Sequence, residues 1–210
     1  MPDPVTTGQP AVRHDVDVWF DAVCPWTWMT SRWVLEVARH RELDVRWHVR
    51  CLAILNEGRD LPAEERHHLQ DSWALARVVA AAARDHGDAV VGPLYTAIGE
   101  RRHRGGRTDT AAVVDEALAE VGLPAGLAAA GATDAVDDLV RASHQAASDL
   151  VGDDVGSPVV AVDGVGFFGP VVSPAPTGRE ALDLFDGLLL LTRVDGFFEL
   201  KRSRTGGPRV

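Results

Sequence analysis

Between Asp15 and Cys51 the hydrophobic period of the chain changes twice, and that change limits the opening to a strand, a helix and a second strand. Asp15-Val16-Asp17-Val18-Trp19-Phe20 alternates and then turns apolar, the pattern of a short strand entering a buried sheet. From Cys24-Pro25 onward Met29, Trp33 and Val37 recur every four residues, with Val34 and Ala38 widening the stripe. The helix is predicted to start at Pro25, because proline suits the first helical position. Val45, Trp47, Val49 and Cys51 then alternate with Arg46, His48 and Arg50, giving a strand with one apolar and one polar face. Two strands joined through a helix are expected to run parallel.

Leu61 to Val151 is rich in Ala, Leu, Glu and Arg and is interrupted at several glycines, which predicts four or more helices. The extended pattern returns at Pro158 to Val162, and Asp163-Gly164 offers a hairpin turn into Val165 to Phe168. A final helix over Gly178 to Arg193 stacks Leu182, Phe185, Leu189 and Val194 on one side. The order β-α-β, helical block, β-β-α matches an α/β thioredoxin fold with an inserted all-helical subdomain. The expected boundaries are a flexible tail at 1–13, a discontinuous thioredoxin-like domain at 14–55 and 152–200, a helical insertion at 56–151, and a tail at 201–210.

The 210 residues, 46% of them hydrophobic, suffice for a substantial core. A formal charge of −10 disfavours nucleic acid and anionic membrane surfaces as partners. Leu188 to Leu191 is too short to span a bilayer, and Met1 to Arg13 lacks the basic start and apolar run of an export signal. With Cys24 and Cys51 as its only cysteines, the chain is expected in the reducing cytoplasm. The histidines show no metal-ligand spacing, so no metal is expected. Gly164 to Gly169 matches G-x-G-x-x-G but precedes Pro170 instead of opening a helix, so no bound nucleotide is expected either.

Cys24 lies between the end of a strand and the first turn of a helix, where unpaired N–H groups and the helix dipole favour a thiolate over a thiol. Against this stands the ordinary fate of a free cysteine, a small buried hydrophobe. Trp26 and Trp28 read as core, as substrate platform, or as one of each. Asp21 reads either as a group that tunes the thiol or as a turn and helix-entry residue. Cys51 reads as a resolving thiol on the same sheet edge or, by its alternation parity, as a packed core thiol. Arg101-Arg102-His103-Arg104 with Arg107 reads as a receptor for a carboxylate or as a solvated helix end.

Several separated motifs carry a resemblance: Trp19-Phe20-Asp21 through Cys24-Pro25-Trp26, Thr30 to Trp33, Leu52 to Asn56, Pro93 to Thr96, Phe167 to Pro170 and Phe197 to Arg202. Together they resemble the mycothiol-dependent nitroreductase family of the DsbA-like thioredoxin superfamily, over about Val16 to Arg204. The resemblance implies a cytoplasmic reductase that draws electrons from the small thiol mycothiol and reduces nitro compounds or disulfides. It also makes Pro158 the cis-proline facing Cys24, so Ser157–Pro158 is predicted to be cis, and it places Tyr95 at a family position that either lines the cleft or packs. One position departs from the family: C-P-W-C becomes C-P-W-T, with Thr27 in place of the second thiol. A lone thiol waits for an outside thiol to release its mixed disulfide, so the expected chemistry is monothiol, with Thr27 donating a hydrogen bond to Cys24. A homodimer is left open. The alternatives are a glutathione-transferase- or isomerase-like enzyme of the same superfamily, or a binding protein on this fold.

Overall fold

The computed structural model describes residues 12–210, apart from the side chains of residues 63–67, so the expected N-terminal tail lies almost wholly outside the described residues. Strand β1 (His14–Phe20) leads through helix α1 (Pro25–Ala38) to β2 (Leu43–Val49), and β1 and β2 pair in parallel from His14↔Leu43 to Phe20↔Val49. Strands β3 (Val159–Val162) and β4 (Val165–Phe168) complete a sheet of order β2-β1-β3-β4, with both later pairings antiparallel. Asp163 and Gly164 both take positive φ, 51° and 84°, as a tight two-residue hairpin turn requires. Asp163 also accepts from the backbone N–H of Asp15 at 3.1 Å, tying the hairpin to the start of β1.

Between β2 and β3 lie α2 (Leu52–Leu55), α3 (Ala63–His86), α4 (Val91–Gly99), α5 (Thr110–Glu120) and α6 (Asp137–Val151). A π-helical turn, Glu100–Arg104, extends α4, and a 3-10 segment, Ala125–Ala132, precedes α6. Helix α7 (Gly178–Leu191) closes the fold. No described helix is long and apolar enough to cross a membrane.

The alternation of β1 sends its side chains to opposite sides of the sheet. Val16 and Val18 join Trp33, Val34, Val37 and Phe185 in a core beneath α1 and α7, and the indole of Trp33 donates to the Ala181 carbonyl at 2.9 Å to fasten those two helices. Trp19 packs on the other side with Val159, Ala161 and Ala147 of α6. A second and larger core joins Phe20, Trp28 and Met29 to the helices of the insertion. There the ring of Phe20 stacks on Tyr95 at 3.9 Å. Helix α4 reaches this position by presenting glycines to bulky rings, Gly92 to Trp47 and Gly99 to Trp28.

Three sequence expectations change. β2 stops at Val49, so Cys51 is not a strand residue: it stands at the start of α2. Arg50 is fully buried instead of lying on the polar face, because the chain turns inward there and its guanidinium donates to the Val155 carbonyl at 2.7 Å. At the other end, Val194 lies beyond α7 and is 55% exposed, outside the predicted stripe.

Candidate active site

The loop between β1 and α1 is organised by Asp21. Its buried carboxylate accepts from the N–H of Val23 at 2.9 Å, the N–H of Leu52 at 2.7 Å and the hydroxyl of Ser72. Those bonds stitch the cysteine loop to the start of α2 and to α3, so Asp21 takes the turn and helix-entry role. Burial pushes its pKa up, against hydrogen bonds that favour the charged form. Ser72 was not legible as a site neighbour, since a serine inside a helix carries no local signal.

The Cys24 N–H closes a turn onto the Asp21 carbonyl at 3.0 Å, and the Trp28 N–H closes the first helical bond onto the Cys24 carbonyl at 3.1 Å. Cys24 is thus the N-cap of α1, in extended backbone, with Pro25 as the first helical residue. Its sulfur lies 3.7 Å from the Ser157 carbonyl. The peptide bond after Ser157 is cis, and the Pro158 carbonyl accepts from the Gly169 N–H at 2.9 Å. Residues 133 positions apart are therefore joined at one point.

The residue is 5% exposed, a narrower opening than the sequence suggested. Thr27 and Ser157 are buried, while Pro25 and Trp26 are half-buried. Thr27 does not bond to Cys24: with the thiol directed at the Ser157 carbonyl, Thr27 Oγ1 has no hydrogen-bond partner. Ser157 Oγ is likewise buried and unpartnered. Two idle hydroxyls on residues that flank one sulfur are unusual, since buried polar groups are nearly always satisfied.

Trp28 is core. It is 1% exposed, with the Arg32 guanidinium 3.9 Å from its ring centroid, His103 stacked at 5.6 Å and Tyr95 edge-on at 6.0 Å. Tyr95 is fully buried in the same packing, its hydroxyl beside Ser31, and burial pushes its pKa up. Cys51 is fully buried, 3.4 Å from the Ser72 hydroxyl, and burial pushes its thiol up to about 11. The basic island is spent on ion pairs: Arg101 with Glu116 and Glu120, Arg102 with Asp71, Arg104 with Glu100, Arg107 with Glu116. A cavity of about 400 Å³ opens on the insertion among Ala81, His86, Leu127 and Val136, none of which belongs to the cysteine loop.

His103 does belong to that loop's support. Its Nε2 lies 3.0 Å from the Ala22 carbonyl, two residues before Cys24, and burial holds its pKa down at about 4 against an ordinary 6.5. The unfolded chain then binds more protons between those values, so folding stability is expected to fall as pH is lowered from about 6.5 to about 4. Burial lowers His144 as well, and it adds to the same trend. His103→Gln, which keeps an N–H donor but cannot titrate, is expected to flatten part of that slope in urea unfolding followed across the interval.

Comparisons with known proteins bear on the fold and the family. A model of the family described as mycothiol-dependent nitroreductase Rv2466c matches residues 23–202. An uncharacterised protein of Mycobacterium tuberculosis, Rv2286c, is 30% identical over 196 residues, covering 90% of this chain and 82% of its own. Among solved structures, the probable DsbA oxidoreductase SCO1869 of Streptomyces coelicolor superposes with a TM-score of 0.57 at 19% identity, covering 93% of this chain and 97% of its own. The cytosolic disulfide reductase DsbM of Pseudomonas aeruginosa, solved with GSH, gives 0.53 at 17%, covering 84% and 100%. The fold is the DsbA-like thioredoxin fold, and the chain belongs to the Rv2466c-like family of mycothiol-dependent nitroreductases.

Proposed function

We propose that the chain is a thiol oxidoreductase that works with one cysteine, Cys24, and takes its reducing equivalents from a small thiol, mycothiol. The observation that carries this reading is the sulfur of Cys24, held at the start of α1 and 3.7 Å from the carbonyl that precedes the cis peptide bond to Pro158. Thiolate attack on a disulfide forms a bond between Cys24 and one sulfur, and the other sulfur leaves with the electron pair and is protonated by solvent. A second thiol then attacks the outer sulfur of that mixed disulfide and returns Cys24.

Cys51 does not enter this cycle. Its thiol is enclosed, bonded to Ser72 and held protonated by burial, so release depends on an external thiol. The pair of unpartnered hydroxyls on Thr27 and Ser157 fits a polar adduct at Cys24, and these residues with Trp26 and Pro158 are the ones that would hold it. Mycothiol supplies the electrons. Reduction of a nitro group to a nitroso group takes two electrons and two protons and releases one oxygen as water; the joining of Cys24 to one external thiol as a disulfide supplies both electrons and both protons. That balance lets the same sulfur serve nitro compounds.

Thr27→Cys tests the placement. A cysteine at this buried position, three residues along the same helix face, is expected to close an internal disulfide with Cys24 and convert the protein to dithiol behaviour. Thiol counting and the loss of two hydrogen masses on oxidation report it. Persistence of two independent thiols after oxidation would place the Cys24 sulfur elsewhere.

A further inference from the structure

Residues 201–210, expected as a C-terminal tail, contact the body of the fold, as does the stretch just before them. Phe197 packs edge-on against Phe167 of β4 at 5.8 Å. Farther on, the Arg209 N–H donates to Ser173 Oγ at 2.8 Å, and that hydroxyl donates to the Gly207 carbonyl at 3.1 Å. The loop holding Ser173 is itself fastened to α1, because Thr30 Oγ1 donates to the Pro170 carbonyl at 2.7 Å, and to Pro158 through Gly169. Between the two anchors, the Arg204 guanidinium lies 4.7 Å from the ring centroid of Trp26, in the first turn of α1.

Arg204 is exposed, and among the described residues it makes no ion pair or hydrogen bond; its contact is with the ring. A cation held flat on an aromatic face keeps its N–H donors free for an oxyanion. Lys201 and Arg202 lie in the same exposed stretch. In a chain of net charge −10 this places positive charge against Trp26, two residues after Cys24.

We propose that Arg204 is a specificity-determining residue for Cys24, selecting small disulfides that carry a carboxylate near the sulfur–sulfur bond. The inference rests on the reading of Cys24 as the nucleophile. The guanidinium pairs with the carboxylate while the thiolate attacks the nearer sulfur; one sulfur–sulfur bond forms, one breaks, and the departing half leaves as a thiolate.

Two probes separate charge from access: the dianionic 5,5′-dithiobis(2-nitrobenzoate) and the uncharged 2,2′-dithiodipyridine, each followed by the absorbance of the released aromatic thiol, with the adduct located by mass spectrometry. Arg204→Ala is expected to slow modification of Cys24 by the dianion about fivefold at low salt, and Arg204→Glu further, while the uncharged probe changes less than about twofold. Raising the ionic strength is expected to shrink the wild-type advantage. Equal changes with both probes, or none with either, overturn the assignment and leave the segment as a cover or an ornament. A wild-type protein whose Cys24 reacts with neither probe overturns the nucleophile itself, a different failure from reaction with both at rates indifferent to position 204.

Discussion

Cys24→Ser is expected to abolish the covalent adduct with a small thiol and to lower thiol-coupled reduction about 10³-fold or more, to the level of the uncatalysed exchange. The size of the loss follows from the chemistry. A serine hydroxyl forms no mixed disulfide, and Cys51, the other sulfur, is enclosed against Ser72 with a thiol pushed up to about 11. The replacement is nearly isosteric, and Ser can still donate to the Ser157 carbonyl, so the fold and its unfolding midpoint should change little. That combination separates a lost nucleophile from a lost structure. Incubation with an oxidised small thiol, followed by intact mass and by turnover, gives both readouts on one sample. Undiminished turnover in this variant would leave Cys24 a packed core thiol and overturn its assignment as the nucleophile.

What the sequence disclosed and what it hid divide along chain separation. The β1–α1–β2 order, the Asp163–Gly164 turn and the start of α1 at Pro25 depend on period and turn chemistry within a few residues, and they stand where the pattern put them, save that β2 ends at Val49. Cys24 and Ser157 were named separately, on local context and on family resemblance, and meet across 133 residues. The misplaced groups depend on distant partners that no local pattern reveals. Arg50 reads as the polar face of a strand until Val155 and Ser148 receive it in the interior. His103 reads as one more basic residue beside three arginines, until burial against Trp28 and Ala22 gives it a neutral role. Arg204 sits in a stretch with no helical or strand period, and only the closing of that stretch onto Ser173 brings it to Trp26. Local pattern thus fixed the skeleton of the site, and tertiary packing chose which side chains surround it.

Gly99→Ala is expected to destabilise the protein by about 3 kcal/mol, although alanine is the better helix former by about 1 kcal/mol. Gly99 closes α4, and a methyl group built there overlaps Cε3 and Cζ3 of Trp28. The indole cannot step aside cheaply: it is 1% exposed, with Arg32 at 3.9 Å and His103 at 5.6 Å from its ring. Moving it therefore moves α4, or disturbs the His103 bond to the Ala22 carbonyl that steadies the loop before Cys24. Overlap in a packed core outweighs helix propensity when the neighbour is a locked aromatic ring. For a chain of this size the loss corresponds to a drop in Tm of about 10 °C. Gly187→Ala is the matched control: it lies within α7, where an added methyl meets nothing within 4 Å, so it is expected to be neutral or stabilising. Urea unfolding of the two variants beside the wild type decides the matter. Equal midpoints for Gly99→Ala and the wild type would mean that Trp28 yields freely and that the helical insertion does not clamp the cysteine end of α1.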